Sequence, residues 1–158
     1  MNRTNKIGWV GFFLYVSLWG APYTDNGNGT VTDSATGLIW QKCSRGQETI
    51  LGDCSTGSLS ANNWSSAITY CEGLNLGGRS DWRLPNINEL RSIIDYTKTA
   101  EPAIDRTAFP NTPSAYYWSS SSWKLLFLNA WTVYFSNGIV AYDVAKTSTS
   151  YVRCVTGP

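Results

Sequence analysis

The stretch that most constrains this sequence is the ten residues 81–90, Asp-Trp-Arg-Leu-Pro-Asn-Ile-Asn-Glu-Leu. Pro85 biases the residue before it towards an extended backbone, which favours the end of a strand. Asn86 followed three residues later by Glu89 is the pattern of a capping box, which begins a helix. The stretch therefore predicts a strand end, a corner and a helix start. A structural corner also explains Arg83 and Glu89 more simply than catalysis does.

The first 21 residues differ in composition from the rest of the 158-residue chain. Arg3 and Lys6 precede an apolar run over residues 7–18, and small residues follow it. This order is typical of a secretory signal peptide, with an uncleaved anchor as the alternative. We therefore expect residues 1–21 to be a signal and residues 22–158 to form one exported domain, either secreted, periplasmic or on the cell surface.

The charge balance and the lack of histidine argue against two classes of function, nucleic-acid binding and enzymatic catalysis. The chain has 12 cations and 11 acids, so removal of Arg3 and Lys6 would leave a net charge of about −1. A nucleic-acid binder needs a basic surface, so we expect no nucleic-acid partner. The usual base at neutral pH is absent because the sequence has no histidine. No carboxylate pair, nucleophile elbow or phosphate loop stands out either, so we expect no enzymatic activity.

Four cysteines, Cys43, Cys54, Cys71 and Cys154, lack the two-residue spacing of zinc or redox motifs. Two disulfides suit an exported protein, and three pairings are open from the sequence. We favour Cys43–Cys54, which brackets a loop containing Gly and Ser, with Cys71–Cys154, which ties a helix to the C-terminus. Four free thiols would instead require a reducing compartment.

Turn signals and hydrophobic periodicity predict an α+β fold. The Asn-Gly-Asn-Gly sequence at residues 26–29 is typical of a hairpin turn. Apolar spacing predicts one helix over residues 63–74 and a second one after Asn86. The remainder from residue 116 alternates as strands do, with a turn at residues 136–138, and we expect residues 151–155 to close that C-terminal sheet.

The N-terminal hairpin turn also carries oxygen atoms of the kind that calcium prefers. Asp25, Asn28 and Asp33 could act as hard ligands. Their spacing does not fit an EF-hand, and no bidentate glutamate follows them. We therefore expect no metal site or cofactor, and keep calcium as the alternative.

Several segments, taken in order, resemble the family of the Legionella collagen-like protein C-terminal domain. They are Asp25–Asp33, Thr36–Trp40, Asp81–Pro85, Tyr117–Ser120, Phe135–Gly138 and Val152–Val155. The resemblance implies a secreted or surface domain of C-type-lectin-like fold. In such a fold two helices pack on a twisted, mainly antiparallel sheet with long loops, stapled by disulfides. Lectin-like folds link a helix cysteine to one in the last strand, which fits Cys71 with Cys154.

The same resemblance implies adhesion, since members of the collagen-like group are associated with binding to glycosaminoglycans. A more distant similarity connects Arg83-Leu84-Pro85 and Glu89 to the formylglycine-generating fold. The chain is therefore predicted to be a binding module without catalytic activity, with a glycan or a cell-surface protein as its partner and homo-oligomerisation open. The alternatives are a receptor-binding protein diversified by a retroelement, a structural component of a surface assembly, and a formylglycine-generating-type enzyme.

We expect the ligand contacts to come from residues that point outward from the C-terminal sheet. These are Trp123, Lys124, Asn129, Thr132, Tyr134, Tyr142, Asp143 and Lys146. Aromatic faces can stack on sugars or anchor proteins, and the polar groups supply directional bonds. Aromatic residues at alternating positions are usually core or cross-strand packing, so most of Trp118, Trp131 and Phe135 are predicted to be structural.

Overall fold

The computed structural model describes residues 22–48 and 52–158, so the predicted signal peptide over residues 1–21 lies outside the described residues. No helix within those ranges is long and apolar enough to cross a membrane. In chain order the elements are β1 (Tyr23–Asp25), β2 (Thr30–Asp33), β3 (Ile39–Gln41), β4 (Gln47–Glu48), β5 (Thr56–Gly57), α1 (Trp64–Glu72), α2 (Ile87–Ser92), β6 (Tyr116–Ser122), β7 (Asn129–Tyr134), β8 (Ile139–Ala145) and β9 (Val155–Thr156).

The strands form three antiparallel sheets rather than one, with the orders β1-β2-β3-β9, β4-β5 and β6-β7-β8. This confirms the α+β class and the mainly antiparallel pairing. The prediction that residues 151–155 close the C-terminal sheet is wrong. Tyr151 makes one isolated bridge to Tyr117, and the chain then crosses to β3, where Val155 pairs with Trp40. The last segment therefore joins the two larger sheets.

An asparagine caps each helix: Asn86 as predicted, and Asn63 at the predicted start of the first helix. The Asn63 side chain accepts a hydrogen bond from the backbone N–H of Ser66 at the start of α1. At α2 the capping box is complete: Asn86 Oδ1 accepts from the Glu89 N–H at 3.0 Å, and Glu89 Oε2 accepts from the Asn86 N–H at 2.7 Å. Arg83 adds a two-pronged ion pair to the same carboxylate, with both N···O distances 2.7 Å. Arg83 and Glu89 thus build the corner that was predicted.

Glu89→Gln is expected to lower the free energy of unfolding by about 1 kcal/mol at neutral pH, because it removes the charge that pairs with Arg83, while the glutamine oxygen can still accept the capping bond from the Asn86 N–H. Burial acts to raise the pKa of Glu89, but hydrogen bonds from Arg83 and the Asn86 backbone outweigh it, so the pKa is lowered. A carboxyl with a lowered folded pKa stabilises the protein above its unfolded pKa, and this stabilisation is lost as the pH falls through the folded pKa.

The difference in stability between wild type and E89Q should therefore shrink as the pH is lowered from about 4.3, the usual pKa of an unfolded glutamate, towards about 2, because the pKa of Glu89 in the folded protein is lowered. Urea unfolding of both proteins at a series of pH values measures it. A difference that stays constant down to that pH would show that the ion pair does not stabilise the corner.

Strand β6 divides the buried core into two clusters. Tyr117 belongs to one cluster, with Trp40 and Leu90, whereas Trp118 belongs to the other, with Trp82. Consecutive strand residues point to opposite faces of a sheet, so β6 is covered on both sides. The outward face predicted for the C-terminal sheet is thus mostly occupied by α1 and its neighbours, and exposed side chains concentrate at the ends of the sheet.

The two predicted disulfides, Cys43–Cys54 and Cys71–Cys154, are both confirmed, and no cysteine is free. The first closes the loop after β3, and the second ties the buried face of α1 to the segment that joins the two larger sheets. Because the residues between the second pair include α2 and all of the β6-β7-β8 sheet, this bond encloses more than half of the described chain.

Arg153, next to the second disulfide, is completely buried. Its Nη1 donates to the carbonyl of Lys42 at 2.7 Å, and its Nη2 donates to the hydroxyls of Thr112 at 2.8 Å and Ser44 at 3.2 Å. The guanidinium also lies 4.7 Å from the centre of the Phe109 ring. None of the ion pairs in the described residues involves Arg153, so neutral acceptors and an aromatic face hold this buried charge.

Candidate ligand-binding surface

Three aromatic side chains meet at the end of the β6-β7-β8 sheet where β6 leads into β7. The ring centroids of Trp123 and Tyr142 are 4.6 Å apart, and those of Trp131 and Tyr142 are 5.4 Å apart. Both tryptophans are half-buried, and Tyr142 is 46% exposed. We call Trp123, Trp131 and Tyr142 the aromatic cluster; it presents partly exposed ring surface to solvent.

An irregularity in strand pairing brings these rings together. Ala130 pairs with Val144, but Thr132 pairs with Ala141, so the two β8 residues 142 and 143 face the single residue Trp131. Two residues opposite one is the arrangement of a β-bulge, which adds local twist and re-aims side chains at a sheet end. The bulge thereby places the Tyr142 ring against Trp131.

Polar residues around the aromatic cluster divide into two groups. Asn129 Nδ2 donates to the backbone carbonyl of Asp143 at 2.7 Å, and Lys146 Nζ donates to Ser122 Oγ at 2.7 Å. These side chains hold the end of the sheet together. By contrast, the side chains of Lys124 and Asp143 are exposed beside the cluster, so a cation and a carboxylate are accessible there.

The loop between β6 and β7 carries four consecutive exposed apolar side chains. Leu125, Leu126, Phe127 and Leu128 are 78%, 52%, 77% and 66% exposed, respectively. We call residues 125–128 the apolar tip. Sequence reasoning missed it, although four adjacent apolar residues in a hairpin loop cannot all face the core and are a signal of exposure.

The structure does not bring the eight predicted contact residues together on one face. The prediction that Thr132 points outward is wrong: it is fully buried and pairs with Trp118, on the side of the sheet that packs against α1. Tyr134 lies at the opposite end of β7, where it stacks on Tyr116 with ring centroids 4.6 Å apart. The other six predicted residues lie at or near the aromatic cluster.

Of the three aromatic residues predicted to be mostly structural, Trp118 and Phe135 are completely buried, whereas Trp131 is half-buried and packs across the strands in the aromatic cluster. By strand alternation it shares a side of β7 with Val133, which is completely buried. The alternation was therefore predicted correctly, but the extent of the core was not. The two-residue alternation of side chains tells which face of the sheet a residue lies on. Only the packing of neighbouring elements decides how much of that face is covered.

The oxygens suggested as calcium ligands take part in turn contacts. Asp25 Oδ2 accepts a hydrogen bond from Lys42 Nζ at 2.7 Å, which is the main cause of the lowered pKa of Asp25. Asp33 accepts from Ala35 N–H and from the Thr36 hydroxyl. Within residues 22–48 and 52–158, no group of three or more His, Cys, Asp or Glu side chains is arranged to hold a metal ion.

Away from the aromatic cluster, a concavity of about 430 Å³ lies beside β1 and the end of α2. Burial, together with the carboxylates of Asp33, Asp105 and Asp95, raises the pKa of Tyr23 at its wall to about 12. This phenol therefore keeps its proton at neutral pH. Tyr96, also at the wall, donates a hydrogen bond to the carbonyl of Gly138, which places the cleft near the β7–β8 turn, at the opposite end of the sheet from the aromatic cluster.

The fold and this surface define a disulfide-stapled α+β domain that presents a partly exposed aromatic cluster at a sheet end. The chain belongs to the Lcl C-terminal domain family, whose sequence model matches residues 29–156. The matched range includes both helices and every described strand except β1, so it confirms the resemblance over nearly the whole domain. A comparison with curated proteins found no match.

Proposed function

We propose that this domain is a secreted or surface-exposed binding module of C-type-lectin-like fold, and that its aromatic cluster binds a glycan. The exposed contact between Trp123, Trp131 and Tyr142 carries the proposal. Flat, rigid aromatic rings supply apolar contact area at a small cost in conformational entropy, and the apolar faces of sugar rings stack on them.

Polar groups beside the cluster support a sugar ligand. The exposed side chains of Lys124 and Asp143 can form directional hydrogen bonds with hydroxyl groups, while Asn129 holds the backbone at Asp143 in place. Such a combination of ring faces and a few polar groups is typical of small-molecule sites. Pairing of all four cysteines also supports binding over cysteine-dependent oxidase chemistry, which needs a reactive thiol.

Trp131→Ala is expected to weaken glycan binding by about tenfold or more, because it removes one of the three ring faces. Tyr134→Ala is the matched control, because it also removes a half-buried aromatic side chain from β7. Tyr134 lies at the other end of the strand, where it stacks on Tyr116. A glycan array with the oxidised protein, with calcium and with chelator, would identify the sugar class. Titration calorimetry would then compare both variants with wild type.

If folded protein bound no glycan on the array, either with calcium or with chelator, this result would contradict glycan binding. It would favour a cell-surface protein as the ligand. An equal loss for Tyr134→Ala and Trp131→Ala would instead show that the aromatic cluster is not the site. Loss of binding in chelator alone would point to calcium. Sedimentation equilibrium on the same protein would measure whether it forms homo-oligomers.

A further inference from the structure

The apolar tip is an ordered projection that exposes only hydrocarbon. Its base is fixed by backbone hydrogen bonds: Trp123 N–H to Asn129 O at 3.0 Å, Asn129 N–H to Leu126 O at 2.8 Å, and Lys146 N–H to Leu128 O at 2.8 Å. Those bonds tie the loop to β7 and to the end of β8, while the side chains remain uncovered. Exposed apolar groups in such a cluster are characteristic of an interaction site.

We propose that the apolar tip inserts into the interfacial region of a lipid bilayer that carries anionic headgroups. This inference does not rest on glycan binding, although two rings of the aromatic cluster, Trp123 and Tyr142, border the tip. The shape, the area and the charge of the loop favour a bilayer as the occupant.

The shape and area of the tip suit a bilayer better than a second copy of the chain. Its four exposed side chains offer on the order of 500 Å². Each partner in a stable protein interface buries about 800 Å², so the tip alone is too small to hold a dimer. Adjacent residues of a loop also project in different directions, and a fluid hydrocarbon layer can bury all of them at once, whereas a rigid pocket would take only some.

The rim of the tip has the composition found at membrane surfaces. Trp123 and Tyr142 stand next to it, and such amphipathic rings are enriched at the boundary between hydrocarbon and water. Lys124 precedes the tip directly, and Lys146 is bonded to its last residue through the backbone. The sequence carries no carboxylate between Asp105 and Asp143.

Lysines that flank an apolar segment favour anionic lipid surfaces, each by roughly a fivefold increase in binding near the surface. The segment from Lys124 to Lys146 carries these two lysines and a single acid, Asp143, so its net charge is positive. Apolar insertion and charge attraction therefore act together on an anionic bilayer.

Vesicle flotation of the exported, oxidised protein tests the proposal, with vesicles of phosphatidylcholine alone and with added phosphatidylglycerol. Wild type should float with the anionic vesicles, and L125S/F127S should reduce the partition by about tenfold or more. Ile139→Ser is the matched control, since Ile139 is 57% exposed at the opposite end of the sheet, and it should float like wild type. Glycan binding by L125S/F127S should be unchanged.

Quenching of tryptophan fluorescence by brominated lipids is a second readout of insertion. It reports on the tip itself even if residues 1–21 were retained and attached the protein to the vesicles. Lipids with brominated acyl chains should quench the tryptophan fluorescence of wild type more than that of Trp123→Phe, because Trp123 stands at the base of the tip. Equal quenching of the two proteins would overturn the proposal. So would wild type that stays in solution with both vesicle types, or a dimer in sedimentation that L125S/F127S abolishes.

Discussion

Replacing Cys71 and Cys154 together by alanine is expected to lower the free energy of unfolding by about 4–5 kcal/mol. The two residues are 83 positions apart, and in the chain-entropy model a bond that closes a long loop removes more freedom from the unfolded chain than one that closes a short loop. Both cysteines are completely buried, so alanine introduces no polar group into the core.

The matched control is the double replacement of Cys43 and Cys54. These residues are 11 positions apart, and the same model assigns the bond about 3 kcal/mol. Urea unfolding followed by tryptophan fluorescence would measure both variants against oxidised wild type. If the short-loop variant were the less stable of the two, the stabilisation would come from local contacts rather than from loop closure.

Replacing Arg153 by methionine is expected to lower the free energy of unfolding by about 3 kcal/mol, the largest effect we expect from a single substitution. Methionine fills part of the space but donates no hydrogen bonds. The carbonyl of Lys42 and the hydroxyls of Thr112 and Ser44 would then lose their shared donor in a buried site. The hydroxyls of Thr112 and Ser44 keep their bonds to the Phe109 carbonyl and the Tyr117 hydroxyl. The cost therefore comes mainly from the buried Lys42 carbonyl, at about 1–3 kcal/mol, and from the lost packing, and is partly offset because a buried charge is also removed.

Arg153→Lys keeps the charge but should recover only part of this loss. The guanidinium reaches four acceptors, including the Gln41 carbonyl at 3.4 Å, through two separate nitrogens in a rigid plane, whereas a lysine has one nitrogen. Arg106→Met is the surface control, since Arg106 is exposed and its replacement should change stability by no more than about 0.5 kcal/mol. If R153M and R106M had the same urea midpoint of unfolding, a structural role for the buried guanidinium would be refuted.

Features that depend on neighbouring residues were predictable from the sequence. The capping box needs only Asn86 and Glu89 three residues apart, and its geometry is as expected. The hairpin between β1 and β2 needs only the Asn-Gly turn, because both residue types tolerate positive φ. The favoured disulfide pairing was also correct, although the cysteine spacing left three pairings open. The Cys71–Cys154 bond was in addition what the family resemblance implied.

The candidate site was predicted less completely, and the errors have physical causes. Thr132 was assigned to the surface because alternation tells which side of a strand a residue faces, but not whether α1 covers that side. For the same reason alternation placed Trp131 on the side of Val133 but did not tell that the core ends before it. The β8 bulge that places Tyr142 beside Trp131 has no clear signature in the sequence, because it reflects the pairing of two strands and not the preference of either.

The sequence by itself determined the local structure, the α+β class and the family, because these depend on short-range spacing or on motifs in a fixed order. Only the tertiary structure decided where β9 pairs, which end of the C-terminal sheet stays open, and which aromatic rings meet there. These outcomes depend on contacts between residues far apart in the chain. Burial and the competition between sheets for the last strand set them, and neither is encoded in any single segment.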